Sequence, residues 1–165
     1  MTVNQMRDQI DMYMNKHNGK KTMITLDHTM LVKRAPYQNN TLDMLFELGE
    51  FFTQTKRIYP CLFIALSQLN RNIDSPERAQ QAKYGNYIFG SDAMLQHADT
   101  LIGINRPAKQ KIRLYGPDRY IIESDRDLVL HFLKARNGDT RMSFFKAVFE
   151  EMRIEEMNTP QQDIR

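Results

Sequence analysis

Residues 22–27 read Thr-Met-Ile-Thr-Leu-Asp, and residues 61–68 read Cys-Leu-Phe-Ile-Ala-Leu-Ser-Gln. Each is a short apolar run that ends in polar groups, as a strand buried in a sheet requires. The segment between them has a different period. Leu42, Leu45, Phe46, Leu48 and Phe52 recur at helical spacing within residues 41–56. They predict the inward face of a helix, with Asn40 or Thr41 as its cap. Strand, helix and strand in succession imply an α/β arrangement.

Upstream, Met6, Ile10 and Met14 recur at spacing four, predicting a helix over residues 4–17 that Asn18-Gly19 stops. Downstream, residues 71–90 are polar, with Pro76, Gly85 and Gly90, and read as a long loop. Ser91 can cap a short helix through Ala98, and Thr100–Asn105 is a further strand. Pro107 and Gly116-Pro117 break residues 106–127 into irregular or short-stranded pieces. Leu128–Ala135 and Met142–Phe149 flank Asn137-Gly138, a strong turn signal, and read as a hairpin. The expected fold is an α/β sheet with an antiparallel far edge. Residues 1–157 form its one domain, and the polar residues 158–165 form a disordered tail.

Composition narrows the functional classes. An apolar share of 41% over 165 residues is globular and allows a real core. Lysine and arginine number 23 against 20 acids, a net charge of +3 that permits a nucleic-acid partner without requiring one. The single cysteine, Cys61, excludes a disulfide framework or a cysteine-rich zinc site within one chain. No stretch approaches the ~20 apolar residues of a membrane span. The N-terminal run MTVNQMRDQIDMYM lacks the apolar core of a secretory signal. A soluble, cytoplasmic protein without a membrane partner is expected.

In α/β sheets of this kind, ligands sit beyond the carboxyl ends of the strands. Three strand ends carry polar groups here: Asp27, then Ser67-Gln68, then Lys134, Arg136 and Asn137. Each alone has an ordinary structural explanation, as a cap, a solvated amide or surface charge. Their order is more informative. MITLDHTMLV (23–32) resembles the Walker B strand of a RecA-type ATPase. FIALSQLNRNI (63–73) is similar to the third helicase motif of DnaB-type replicative helicases. SDAMLQHADTLIGI (91–104) resembles that family's helix and strand around Gln-x-Ala-Asp. FLKARNGDTRMSFF (132–145) resembles its fourth motif, a Lys-x-Arg-Asn-Gly hairpin.

The resemblance implies the C-terminal part of a RecA-like motor domain. Its sheet would be mostly parallel, with helices on both faces, a C-terminal antiparallel hairpin and the N-terminal strands missing. It implies ATP and Mg²⁺ as cofactors. Asp27 would hold Mg²⁺ through water, with Ser67 beside the nucleotide, and Gln68 would sense the γ-phosphate. Lys134 and Arg136, two apart on one strand, would act on a nucleotide held by the neighbouring subunit. Arg71, Arg78 and Lys83, in the loop after the second strand, would neutralise single-stranded DNA. The implied assembly is a hexameric ring, or a pairing with a complementary P-loop chain. The implied setting is a bacterial or phage replisome, with primase or a loader as further partners.

The chain departs from the family pattern. No Gly-x-x-x-x-Gly-Lys-Ser/Thr occurs in it, so the backbone N–H groups and lysine that cradle phosphates have no counterpart. His28 stands where the family often has an aromatic residue, Phe89 where a charged residue is common, and His97 where an acid is frequent. Two other readings follow. One is a non-catalytic module that docks on a complete helicase. The other is a RecA-type recombinase or clock ATPase, which the Ser-Gln-Leu-Asn-Arg and Lys-Ala-Arg-Asn-Gly strings disfavour.

Overall fold

The structure, a computed structural model, describes residues 1–67, 94, 96–116 and 118–163. The chain divides into two compact units. Their described residues are 1–67, 94 and 96–98 in the first, and 99–116 and 118–163 in the second.

The first unit opens with helix α1, Val3–Lys16. Thr2 caps it in a reciprocal capping box with Gln5, which satisfies two N–H groups that have no partner within the helix. The predicted stop is in place. Asn18 and Gly19 both adopt positive φ, 51° and 61°, and the Gly19 N–H donates to the Met14 carbonyl at 2.9 Å. Strand β1, Thr22–Leu26, leads into a 3-10 turn at Thr29–Leu31. Helix α2, Thr41–Ile58, starts at the Asn40 side chain, which caps it with Asp43. Strand β2, Cys61–Ala65, pairs parallel with β1, in register from Thr22 opposite Cys61 to Leu26 opposite Ala65.

The core of this unit lies between the helices and one face of the strand pair. Val3 from α1, Val32, and Met44, Leu45, Leu48, Phe51 and Phe52 from α2 are buried together. Leu26, Phe63 and Ala65 of the strand segments pack against them, with Phe52 stacked on Phe63 at 4.4 Å between ring centroids. The inward face of α2 differs from the expected one. Leu45, Leu48 and Phe52 face inward as predicted, whereas Leu42 and Phe46 are exposed, and Met44, Phe51 and Thr55 take their place. The stripe is rotated because α2 is apolar over more than half its girth, so period alone admits two overlapping faces. The other face of β1 and β2 is open: Met23 is 65% exposed, Leu62 57% and Ile64 41%. Cys61 begins β2, partly buried, and burial pushes its thiol pKa up.

The second unit is antiparallel. Strands β3 (Thr100–Asn105), β6 (Asp127–Ala135), β7 (Met142–Val148) and β8 (Arg153–Glu156) form one sheet in the order β3-β6-β7-β8. Two shorter strands, β4 (Leu114–Tyr115) and β5 (Tyr120–Ile121), pair with each other. Ile112, Tyr115, Val129, Phe144 and Ala147 are its buried apolar residues. Asp127 is buried too, and its carboxylate accepts the N–H groups of Glu123 and Ser124 at 2.9 Å each. That pairing satisfies the charge locally.

The hairpin expected from Asn137-Gly138 forms, but not through a tight two-residue turn. Such turns need positive φ at the first residue or at both, and neither residue has it. The β6–β7 ladder ends at His131 opposite Met142, and the Phe132 N–H donates to the Arg141 carbonyl at 2.8 Å. Beyond that point β6 pairs only with β3, across an irregularity between Leu101 and Ile102. Residues 158–163, where a loose end is expected, make several contacts. The Ile121 N–H donates to the Gln161 carbonyl, Tyr120 bridges Gln162, and Arg119 pairs with Asp163 at 2.7 Å.

The described residues therefore form an α/β chain with a small parallel sheet and a larger antiparallel one. Against the expected mostly parallel sheet with helices on both faces, the one parallel pair among the described residues is β1–β2, and α1 and α2 contribute to a single core cluster against it. Antiparallel pairs dominate because β6, β7 and β8 are joined by short connections, which admit no crossover.

Candidate functional site

Two groups of predicted residues are described, one in each unit. In the first unit both parallel strands run out on the same side, because their register is one-to-one and parallel. The chain past β1 is then fastened to the chain past β2. The Leu66 N–H donates to the Leu26 carbonyl at 2.9 Å, and the Thr29 N–H donates to the Leu66 carbonyl at 2.9 Å. The fully buried Thr29 hydroxyl donates to the Ser67 hydroxyl at 3.2 Å. These three bonds bring the segment after Asp27 against Ser67. Asp27 itself is exposed, one residue beyond the strand, and a cis peptide bond links it to His28. His28 is half-buried, and its Nδ1 has no hydrogen-bond partner among the described residues.

The donor set limits what this group can hold. No cluster of three or more histidine, cysteine, aspartate or glutamate side chains exists among the described residues. A resident metal caged by protein ligands does not fit it. Mg²⁺ that keeps its waters and takes further oxygens from phosphates needs only one or two protein carboxylates, and Asp27 is one beyond the end of β1. Gln68, and the DNA-contact candidates Arg71, Arg78 and Lys83, lie outside the described residues.

In the second unit Lys134 is a partly buried residue of β6, opposite Leu101. Arg136 stands one residue past the end of the strand, so the alternation that would align it with Lys134 no longer governs it. Its N–H donates to the Asp99 carbonyl at 2.8 Å, and its Nη1 pairs with Asp99 Oδ1 at 2.5 Å. Both side chains are about half exposed, at 57% and 45%. They border an open groove of about 490 Å³ that Thr100, Phe132, Ala135 and Arg141 also line. The Arg141 guanidinium lies over the Phe132 ring, 5.6 Å from its centroid.

Two residues that bear on these groups had no role from the sequence. Thr29 is one, and its only signal is a hydroxyl two positions after Asp27. Asp99 is the other, and it becomes visible once Thr100 is set opposite Ala135. Just past that rung the Arg136 N–H reaches the Asp99 carbonyl.

No family model matches the chain, and no curated protein matches its sequence. Solved structures do match in fold. The chain is similar to a solved ATPase domain at a TM-score of 0.75 and 18% identity, over 96% of this chain and 52% of that one. It is also similar to a DnaB-like replicative helicase whose structure was described with its interactions with primase. There the TM-score is 0.73 and the identity 18%, over 96% of this chain and 35% of that one. The chain thus has the fold of part of a DnaB-like helicase ATPase domain and spans about half the length of the first structure. Among the described residues no helix is long and apolar enough to cross a membrane.

Proposed function

We propose that this chain is the C-terminal portion of an ATP-driven replicative DNA helicase motor, which works in a hexameric ring on single-stranded DNA. It would act with a P-loop supplied by other residues. The observation that carries the reading is the fastening of the segment after Asp27 to Ser67 at the carboxyl ends of the parallel pair, in a chain whose fold matches part of such a domain. Asp27 would orient Mg²⁺ through water, and Ser67 and Gln68 would face the nucleotide from the adjoining strand. Mg²⁺, when bound, would neutralise charge on the β- and γ-phosphates. Lys134 and Arg136 would supply positive charge to a nucleotide bound by the next subunit, a contribution of roughly 10³–10⁵ in rate for such arginines. Arg71, Arg78 and Lys83 would meet the DNA backbone, and primase or a loader would be partners of the assembled ring.

The test is ATP hydrolysis with single-stranded DNA, for the chain alone and after adding a polypeptide that carries a Gly-x-x-x-x-Gly-Lys-Ser/Thr loop. The portion of the first matching ATPase domain that has no counterpart here is the first choice of polypeptide. Hydrolysis only in the mixture, abolished by Asp27→Ala, is the expected result. Hydrolysis by the chain alone overturns the view that its phosphate cradle comes from elsewhere. No hydrolysis in either case favours the second reading, a non-catalytic module that docks on a complete helicase. The absent P-loop sequence and the open apolar face of β1 and β2 support that alternative.

A further inference from the structure

Arg136 has two attachments to Asp99, one through its backbone N–H and one through its guanidinium. The first fixes where the side chain starts, and the second anchors one nitrogen of its head. The remaining guanidinium N–H groups make no hydrogen bond among the described residues, and the side chain is 57% exposed. A guanidinium carries five N–H donors in a rigid fork, so one edge can hold a carboxylate while another presents donors to a second oxyanion. Asp99 sits beside the first residue of β3, and Arg136 follows the last residue of β6. Each residue thus lies one position beyond the last rung of the β3–β6 ladder, Thr100 opposite Ala135.

We infer that Asp99 is a positioning residue: it holds the Arg136 guanidinium with its unused donors turned outward for an oxyanion delivered from outside the chain. This rests on the reading of Arg136 as an arginine that acts on a neighbour's nucleotide, and it adds what sets the geometry of that arginine. An exposed ion pair adds little to stability, because solvent and salt screen it. Its effect lies in limiting the rotamers of a long side chain before the phosphate arrives. Misplacement of a catalytic group by about 1 Å can cost up to about 10²-fold in rate, so Asp99→Asn should lower kcat by about 10-fold. Arg136→Ala should lower it far more.

Two measurements test this in the full chain. The first is the ¹⁵Nε relaxation of Arg136, read with no nucleotide or partner present. The second is kcat and KM for ATP in the mixture with the P-loop polypeptide. The expected result is an ordered Arg136 Nε in the native chain and a mobile one in Asp99→Asn. Asp99→Asn should also lower kcat at unchanged KM, Asp99→Glu should restore part of the loss, and Asp99→Asn should add nothing on an Arg136→Ala background. If Arg136→Ala lowers kcat but Asp99→Asn does not, or raises it, positioning is wrong while the reading of Arg136 stands. If Arg136→Ala leaves kcat unchanged, the functional reading itself has failed. An Arg136 Nε equally ordered in Asp99→Asn also overturns the inference, whatever the rates.

Discussion

In the first unit β1 and β2 pair in parallel, and the link between them has to carry the whole of α2 before the chain can return. In the second, β6 reaches β7 through a turn, and β7 reaches β8 through one turn of 3-10 helix. A parallel pair needs a long crossover, and its contacts are distant in sequence, whereas an antiparallel ladder closes on itself locally. The contrast extends to what each sheet leaves open. The outer edges of β1 and β2 have no strand partner among the described residues, and one face is exposed and apolar. In the four-stranded sheet, β6 and β7 each have a neighbour on both sides. The first unit is therefore held mainly by side chains between helix and strand, and the second by its backbone ladder together with locally satisfied polar groups such as Asp127.

This difference can be attacked at its strongest point first. Phe51 is 1% exposed in the middle of the first core, and Phe51→Ala should cost about 3–5 kcal/mol. Hydrogen exchange should show β1 and β2 losing protection while β6 and β7 keep theirs; equal loss in both sheets would mean that the units unfold as one. In the second unit Asp127→Ala removes an acceptor that two backbone N–H groups share. A loss of about 1.5–3 kcal/mol is expected in urea unfolding, since hydrogen bonds to charged groups contribute about that much. Asn40→Ala removes the cap of α2 and should cost about 1 kcal/mol, seen as a lower urea midpoint at unchanged slope.

The smallest effect concerns pH. Burial pushes the His131 imidazole of β6 below the ordinary histidine range, so the folded unit favours its neutral form. Its contribution to stability is complete above an unfolded pKa of about 6.5 and is lost as pH falls through that value toward the folded pKa. His131→Gln should flatten this part of a plot of Tm against pH, measured between about pH 5 and 8.

The strands were the most legible part of the chain. The run ending at Ala65 is apolar throughout, the run ending at Leu26 is apolar apart from its threonines, both are too short for a helix, and Thr100–Asn105 has the predicted bounds. The α2 face was legible only in part, because Leu42 and Phe46 satisfy the helical period as well as Met44 and Phe51 do. The candidate site residues divided along the same line. Asp27, Ser67 and Arg136 could be singled out because each ends or follows an apolar run. Thr29 could not, since its burial depends on a turn after Asp27 that no periodicity sets. Asp99 could not be joined to Arg136 without the β3–β6 register, a tertiary fact. The expectation of a turn and hairpin at Asn137-Gly138 is met, although the connection is wider than a two-residue turn. The β6–β7 ladder stops at His131 opposite Met142, several residues short of Asn137-Gly138, so the connection is longer than the pair alone suggests.

Cys61 gives the chain a built-in clock. It is the single thiol in the sequence, and it stands at the first rung of the parallel pair, opposite Thr22. Its raised pKa leaves little thiolate near neutral pH, so a disulfide reagent should label it slowly in the folded state. Labelling faster than this folded-state rate then reports an opening of the first unit at one known position. The second unit has no thiol and stays silent in the same experiment.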